Sequence, residues 1–440
     1  MALRITQLAE VLQTLLTDQA DEAAQEAGFV KRRRKLTGST FVQTLVLGWL
    51  DSPDASLEDL VAPPGTDKAI CSPQALDQRL NEKATACLKG VLQKALEHVF
   101  AARPETIPLL RRFNGVYAED GTTISLPATL AKYFRGCGGS GPGDGEAAIK
   151  LHVRWELTAG ALTSVTWHEG RHPDVKAAEA APELPSGALR LADRGFFDLE
   201  EFRALGVRGV QWISRLPCKT KLIDATDQAQ SLDVFLAKQT GNLIDQPIRV
   251  GVKERLPARL LAFRSSPAVA AKRRDRLAKQ AKDKGRKVSA LQWALCEWTV
   301  FITNVSLEKL RPEEVWVLYR ARWQIELLFK TWKSHGGLDR TKGRKPQRVL
   351  CELFAKLIGM VIRHWLVLLR GGPLAGFSWV KAVRWVRKRV QAFVRALQDG
   401  LPLNAVLERI LACLNRIRKQ PRRRTRPSTR QLLFQPRLMT

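Results

Sequence analysis

The sequence predicts an α/β protein: a mixed sheet carrying a β-rich insertion, flanked by N-terminal and C-terminal helical regions. Three observations lead there. Residues 1 to about 105 keep helical apolar spacing throughout. From Asn114 onward short strand-like runs alternate with helical ones. Beyond Gly343 helical spacing returns and lasts to about residue 415. A chain of 440 residues is long enough for two or three domains with cores of their own.

Taken in order, the opening MALRITQLAEVLQTLL mixes polar and apolar residues and lacks the basic start, apolar core and cleavage site of a signal peptide. A short helix is expected around SLEDLVA. Ser72-Pro73 marks another start, with Ser as N-cap and Pro in the first turn, and helical spacing continues from there through QALDQRLNEKATACLKGVLQKALEHVF. Such a pair fits a helix-turn-helix, and fits a small bundle with no DNA-binding role equally well. After Pro108, NGVYAEDGTTISLP reads as a strand ending in polar residues, GCGGSGPGDGE as a mobile loop, and IKLHVRWELTAG with ALTSVTWHEG as a hairpin. PDVKAAEAAPE is then a short helix, ALRLADRGFF a strand, DLEEFRALG a helix and GVQWISRLP a strand. Residues 218–310 break the alternation with PIRVGV, ARLLAFRSS, WTVFITNV and a basic helical segment from Ala270 to Lys287. Leu357 to Leu369 is apolar but too short to span a bilayer and is interrupted by Arg363 and His364, so it is expected as a buried helix. The Arg/Pro-rich end is expected to order only on binding.

The formal net charge is +29. An excess of that size destabilises a compact chain by self-repulsion unless a polyanion is its partner, and nucleic acid is the first candidate. The bases cluster at Lys31–Lys35, Lys272–Lys287 and Arg416–Arg430, runs suited to sequence-independent phosphate binding. Seven scattered cysteines without a C-x-x-C pair argue against a disulfide framework or a zinc ribbon and for a reducing, cytoplasmic setting.

The stretch YRARWQIELLFKTWK, residues 319–333, mixes bases, a carboxylate and aromatics. On a helix turning about 100° per residue, Arg322, Glu326 and Lys333 fall within roughly 60° of Tyr319, and Trp323 lies roughly 40° away. Ala321, Ile325, Leu328 and Trp332 make a separate apolar arc. Spacing alone leaves two readings open: a solvated ion-pair ladder, or a face that binds something. Elsewhere Asp120 in VYAEDGTT and Asp193 in LRLADRGF stand where strands should end, positions that suit turn-forming as well as ligand-binding aspartates. Together with a helix-borne Glu they would supply three carboxylates, a set of hard oxygens that suits Mg²⁺ or Mn²⁺. Two such ions about 4 Å apart would serve phosphoryl transfer.

Tyr319, Arg322, Glu326 and Lys333 match Y-x2-R-x3-E-x6-K, and with Asp120 in D-G-T and Asp193 in D-R-G-F the chain resembles the DDE transposases of the insertion sequence 4 family over roughly residues 10 to 400. The resemblance implies an RNase H-like core interrupted by a β-rich insertion. It divides the chain into a helical DNA-binding domain (1–105), the first part of the catalytic core (106–217), the insertion (218–310), the last catalytic helix (311–345) and a helical region with a basic tail (346–440). It further implies metal ligation by Asp120, Asp193 and Glu326, two Mg²⁺ ions replaceable by Mn²⁺, and DNA contacts from Tyr319, Arg322 and Lys333. Trp298, or Trp323 as a second candidate, would stack on a base. The activity implied is cleavage and strand transfer at terminal inverted repeats by a homodimer in a synaptic complex. A catalytically silent DNA-binding derivative and an RNase H-like nuclease without strand transfer share these residues. His168, His172 and Asp174 admit a metal-site reading beside a structural one.

Overall fold

The computed structural model describes residues 4–30, 36–61, 71–137, 146–179, 181–224, 226–283, 285–419, 421 and 427–436. In chain order the helices are α1 (Ile5–Leu16), α2 (Asp18–Glu26), α3 (Gly38–Asp51), α4 (Leu57–Val61), α5 (Pro73–Arg79), α6 (Glu82–Glu97), α7 (Asp174–Glu179), α8 (Leu199–Val207), α9 (Leu232–Ala237), α10 (Pro267–Asp283), α11 (Ala290–Ala294), α12 (Pro312–Ala321), α13 (Trp323–Gly336), α14 (Pro346–Leu368), α15 (Trp379–Arg387), α16 (Val390–Gln398), α17 (Asn404–Asn415) and α18 (Thr429–Phe434). The strands are β1 (Val116–Leu126), β2 (Ala147–Glu156), β3 (Leu162–Glu169), β4 (Leu189–Ala192), β5 (Gln211–Arg215), β6 (Leu222–Ile223), β7 (Ala229–Gln230), β8 (Leu243–Val250), β9 (Leu256–Arg264) and β10 (Trp298–Thr303). The fold is mixed α/β, consistent with an RNase H-like core. Most of the Gly-rich loop and the Lys31–Lys35 run lie outside the described residues.

Two compact units divide the chain. The first comprises residues 1–105, 121–172 and 324–421; the second comprises 106–120, 173–323 and 422–440. Strand β1 contributes its first half to one and its second half to the other.

In the first unit α14 is the axis, and α3, α6 and α15 pack against it. Every residue from Val349 to Leu368 is buried, which accounts for the long, mainly apolar run there. The polar side chains within the run each make hydrogen bonds, as burial demands, although Arg363 Nε and His364 Nδ1 find no partner among the described residues. Lys356 Nζ pairs with Glu352 Oε1 at 2.7 Å and donates to the Gly337 and Arg340 carbonyls. Arg363 donates to the carbonyls of His335 and Leu50, and His364 Nε2 to that of Gly160 at 2.7 Å. Burial drops the His364 pKa to about 4. No helix among the described residues is long and apolar enough to cross a membrane.

The helix expected to continue unbroken from Pro73 stops at Arg79 and restarts at Glu82. Asn81 causes the break: its Oδ1 accepts the Lys83 and Ala84 amides, capping a new helix rather than joining the old one. Strands β2 and β3 pair antiparallel as the expected hairpin. His168 stacks on His172, ring centroids 4.3 Å apart, and is bonded to Thr166 Oγ1, while burial foremost and His172 next lower the His168 pKa. Asp174 lies in the other unit, in the first turn of α7.

In the second unit the strand order is β1-β4-β5-β10-β9-β8-β6-β7. Strand β4 runs parallel to both β1 and β5, whereas β10, β9 and β8 follow antiparallel to their neighbours. Thus the strands of the 218–310 region extend the sheet itself. Helix α10 lies among them with only Ala270 buried. Arg273 anchors it through bonds to Ser265 Oγ, Thr299 Oγ1 and the Cys296 and Trp298 carbonyls. Residues 422–426 of the Arg/Pro-rich end lie outside the described residues; beyond them α18 packs on α12. Ser428 and Gln431 make a capping box there, and Leu432 and Leu433 are buried.

Candidate active site

Strands β1 and β4 set the two aspartates side by side. Their register pairs Ala118 with Leu191 and Glu119 with Ala192; carried on by one residue it sets Asp120 opposite Asp193, with backbones about 5 Å apart at the spacing of neighbouring strands. Asp193 follows the last residue of β4, as expected. Asp120 differs from expectation, because β1 runs through the Asp120-Gly121 pair to Leu126 instead of ending there. A D-G pair favours a turn locally, but tertiary pairing decides the strand.

The same ladder continues. Leu191 pairs with Ile213, and Arg215 in turn pairs with Phe301. Asp120, Asp193, Arg215 and Phe301 therefore form a row across β1, β4, β5 and β10. Tyr319 and Arg322 reach this row from α12 and its C-cap. The Tyr319 ring packs on Phe301, centroids 5.0 Å apart, and its hydroxyl donates to Asp193 Oδ1 at 3.4 Å. Burial pushes the phenol pKa up to about 12, so it stays a donor. Arg322 Nη1 bonds Asp120 Oδ2 at 3.2 Å, with 12% and 18% of the two side chains exposed.

The expected single helix over 319–333 is two helices meeting at Arg322. Arg322 keeps helical angles (φ −50°, ψ −34°), but its amide bonds the carbonyls of Arg320 and Tyr319 instead of the one four residues back. Glu326 and Lys333 belong to the first unit, on α13, both partly buried. Lys333 Nζ donates to the Thr123 carbonyl at 2.9 Å. Helix α13 buries Ile325, Leu328, Phe329 and Trp332, the expected apolar arc with Phe329 added. The two tryptophans contrast: Trp298 is 6% exposed inside the second unit's core, with the Arg264 guanidinium 4.7 Å from its ring centroid, whereas Trp323 is 52% exposed.

Two features escaped the sequence. Arg215 sits in the aspartate row and lines, with Arg194, Arg273 and Arg276, a cavity of about 370 Å³; burial, then Arg194, pulls its pKa down. An arginine closing a strand next to one that ends in Asp was the available signal. On the opposite sheet face Arg190 Nε donates to Glu119 in a pair that is 3% and 0% exposed. Among the described residues no group of three His, Cys, Asp or Glu side chains lies close enough to hold a metal ion. What the register does assemble is a pair of hard oxygen donors, the chemistry that fits Mg²⁺ or Mn²⁺.

Adjacent carboxylates where the parallel pairing of β1 and β4 ends, with guanidinium and phenol donors around them, are an arrangement suited to phosphoryl transfer. Residues 111–362 match the transposase DDE domain. The chain is 30% identical over 384 residues to the transposase for insertion sequence element IS231F of Bacillus thuringiensis subsp. israelensis, covering 80% of this chain and 78% of that relative. It is 25% identical over 375 residues (80% and 78%) to the transposase for IS1151 of Clostridium perfringens, and 26% over 356 residues (78% and 88%) to that for IS421 of Escherichia coli. The chain belongs to the DDE transposases of the insertion sequence 4 family. It is an enzyme of DNA transposition that catalyses DNA cleavage and strand transfer, and its domain is of a kind that uses divalent metal ions.

Proposed function

We propose that this transposase binds the terminal inverted repeats of its own element and moves it by cut-and-paste, with Asp120, Asp193 and Glu326 holding two Mg²⁺ ions that Mn²⁺ can replace. The observation that carries the reading is the Asp120–Asp193 register at the rim of parallel strands, joined to the Y-x2-R-x3-E-x6-K signature. When bound, the ions would activate the attacking water or 3′-hydroxyl and stabilise the leaving oxygen. Tyr319 offers its hydroxyl and Arg322 its guanidinium to phosphate oxygens near the scissile bond, and Lys333 adds a point charge. Of the two tryptophans, Trp323 is the one whose exposure suits stacking on a base; a part for Trp298 requires it to leave the core. Residues 1–105 serve as the DNA-binding domain. The protein works as a homodimer in the synaptic complex, in the cytoplasm and at the nucleoid.

The test is cleavage of a supercoiled plasmid carrying the element's ends. Asp120→Ala, Asp193→Ala and Glu326→Ala are each expected to abolish Mg²⁺-dependent cleavage and leave end binding nearly unchanged. Retained cleavage in any of the three overturns the ligand assignment. Cleavage that never yields joined product identifies a nuclease without strand transfer.

A further inference from the structure

Asp120 is assigned a metal in the reading above, yet its Oδ2 already has a cationic partner. Arg322 Nη1 lies 3.2 Å from it, and both side chains are mostly withdrawn from water. A carboxylate has lone pairs enough for two partners. Charge is what prevents simple sharing: a Mg²⁺ or Mn²⁺ ion bonded at about 2.1 Å to either oxygen of Asp120 would stand within a few ångströms of the guanidinium. At such distances, little screened, two cations repel strongly. Arg215, the next guanidinium along the row, adds to that repulsion.

We infer that Arg322 is a built-in counterion of Asp120 which competes with the divalent cation, and that DNA phosphate relieves the competition by drawing the guanidinium to itself. The inference rests on the reading of Asp120 as a metal ligand and adds a coupling between the two binding events. Phosphate accepts two parallel bonds and carries charge just as a carboxylate does, so the guanidinium can pass to it without loss, and a cation on Asp120 tips the choice toward phosphate. A guanidinium moved from Asp120 to phosphate leaves the carboxylate to the metal. By linkage the effect is reciprocal: bound metal raises affinity for the strand by the same factor that the strand raises affinity for metal. Arg322 is placed to do this. It caps α12 directly after the helix that carries Tyr319, and its guanidinium lies 5.8 Å from the Tyr319 ring centroid. The pair thus sits over Asp120 and Asp193 together.

The experiment is a Mn²⁺ titration of the full chain, followed by loss of the free-ion paramagnetic signal, with and without a duplex carrying the element's end. DNA alone is the blank. Off DNA, Arg322→Ala is expected to bind Mn²⁺ about five-fold or more tightly than the unaltered protein, and Arg322→Lys, which keeps the charge, to stay near it. End duplex should tighten Mn²⁺ binding in the unaltered protein and leave Arg322→Ala unmoved. Unchanged or weaker binding in Arg322→Ala overturns the competition. Arg322→Gln is read in the same way if the alanine variant does not fold. Adding Asp120→Ala to Arg322→Ala separates this failure from that of the underlying reading: if the double variant still binds Mn²⁺ as well as the single, Asp120 is not a ligand at all.

Discussion

The Glu119–Arg190 pair offers the sharpest test of how the two aspartates are held together. Glu119 is 0% and Arg190 3% exposed, on β1 and β4, one residue before Asp120 and three before Asp193. Neutralising one partner leaves the other as a buried charge, which costs about 3–5 kcal/mol, a large fraction of the stability of a folded domain. Glu119→Leu and Arg190→Met are each expected to lose that much in urea denaturation, with the midpoint falling and the slope unchanged. The double change Glu119→Leu/Arg190→Met removes both charges while roughly keeping volume, and is expected to recover most of the loss, giving a coupling energy of about 2 kcal/mol or more. Single losses below about 1 kcal/mol, or a double variant worse than either single one, would refute the argument that burial makes this pair interdependent.

His364 supplies a pH test. Its folded pKa, about 4, lies below the ordinary 6.5, so the unfolded chain binds the extra proton and stability falls as pH drops from about 6.5 toward 4. The contribution lost is roughly 3 kcal/mol, and His364→Gln, measured by thermal or urea unfolding across that window, should flatten the difference; parallel curves for the two proteins would count against it. The tryptophans should separate cleanly: Trp298→Ala costs about 3–5 kcal/mol as a core truncation, while Trp323→Ala stays within about 0.5 kcal/mol in unfolding and weakens end binding in a gel-shift titration. Asn81→Ala, which removes the α6 cap, is expected to cost about 1 kcal/mol, read from the denaturation midpoint.

Much of the architecture was legible because its signals are local. Alternation marked β2, β3 and β5, a Ser-Pro pair marked α5, and twenty buried residues explain the apolar length of α14. What was not legible depends on pairing at a distance. Nothing in VYAEDGTT says that β1 outlasts its aspartate, since the residues that keep it extended are neighbours in the sheet. The break at Arg322 is invisible to a helical count because Arg322 itself keeps helical angles. Helix α18 has a local signal too, the capping box of Ser428 and Gln431. Of the candidate residues, the types were legible and the partners were not. That Tyr319 answers Asp193 while Arg322 answers Asp120 follows only from the order of strands β1, β4, β5 and β10.

That order also explains how such a rim can exist in a folded protein. Two carboxylates on neighbouring strands repel one another at the effective dielectric of a protein surface, and the row places Asp120 and Asp193 in that relation. Arg322 on one side and Arg215 on the other bring formal charge in the row to zero, and the Tyr319 hydroxyl adds a neutral donor. A balanced row is stable but already committed. A divalent ion entering it makes the sum positive, with two guanidiniums close by, and an incoming phosphodiester restores the balance. If metal and DNA bind here as proposed, each makes room for the other, and a site of this composition is then poorest at holding either one alone and suited to holding both at once.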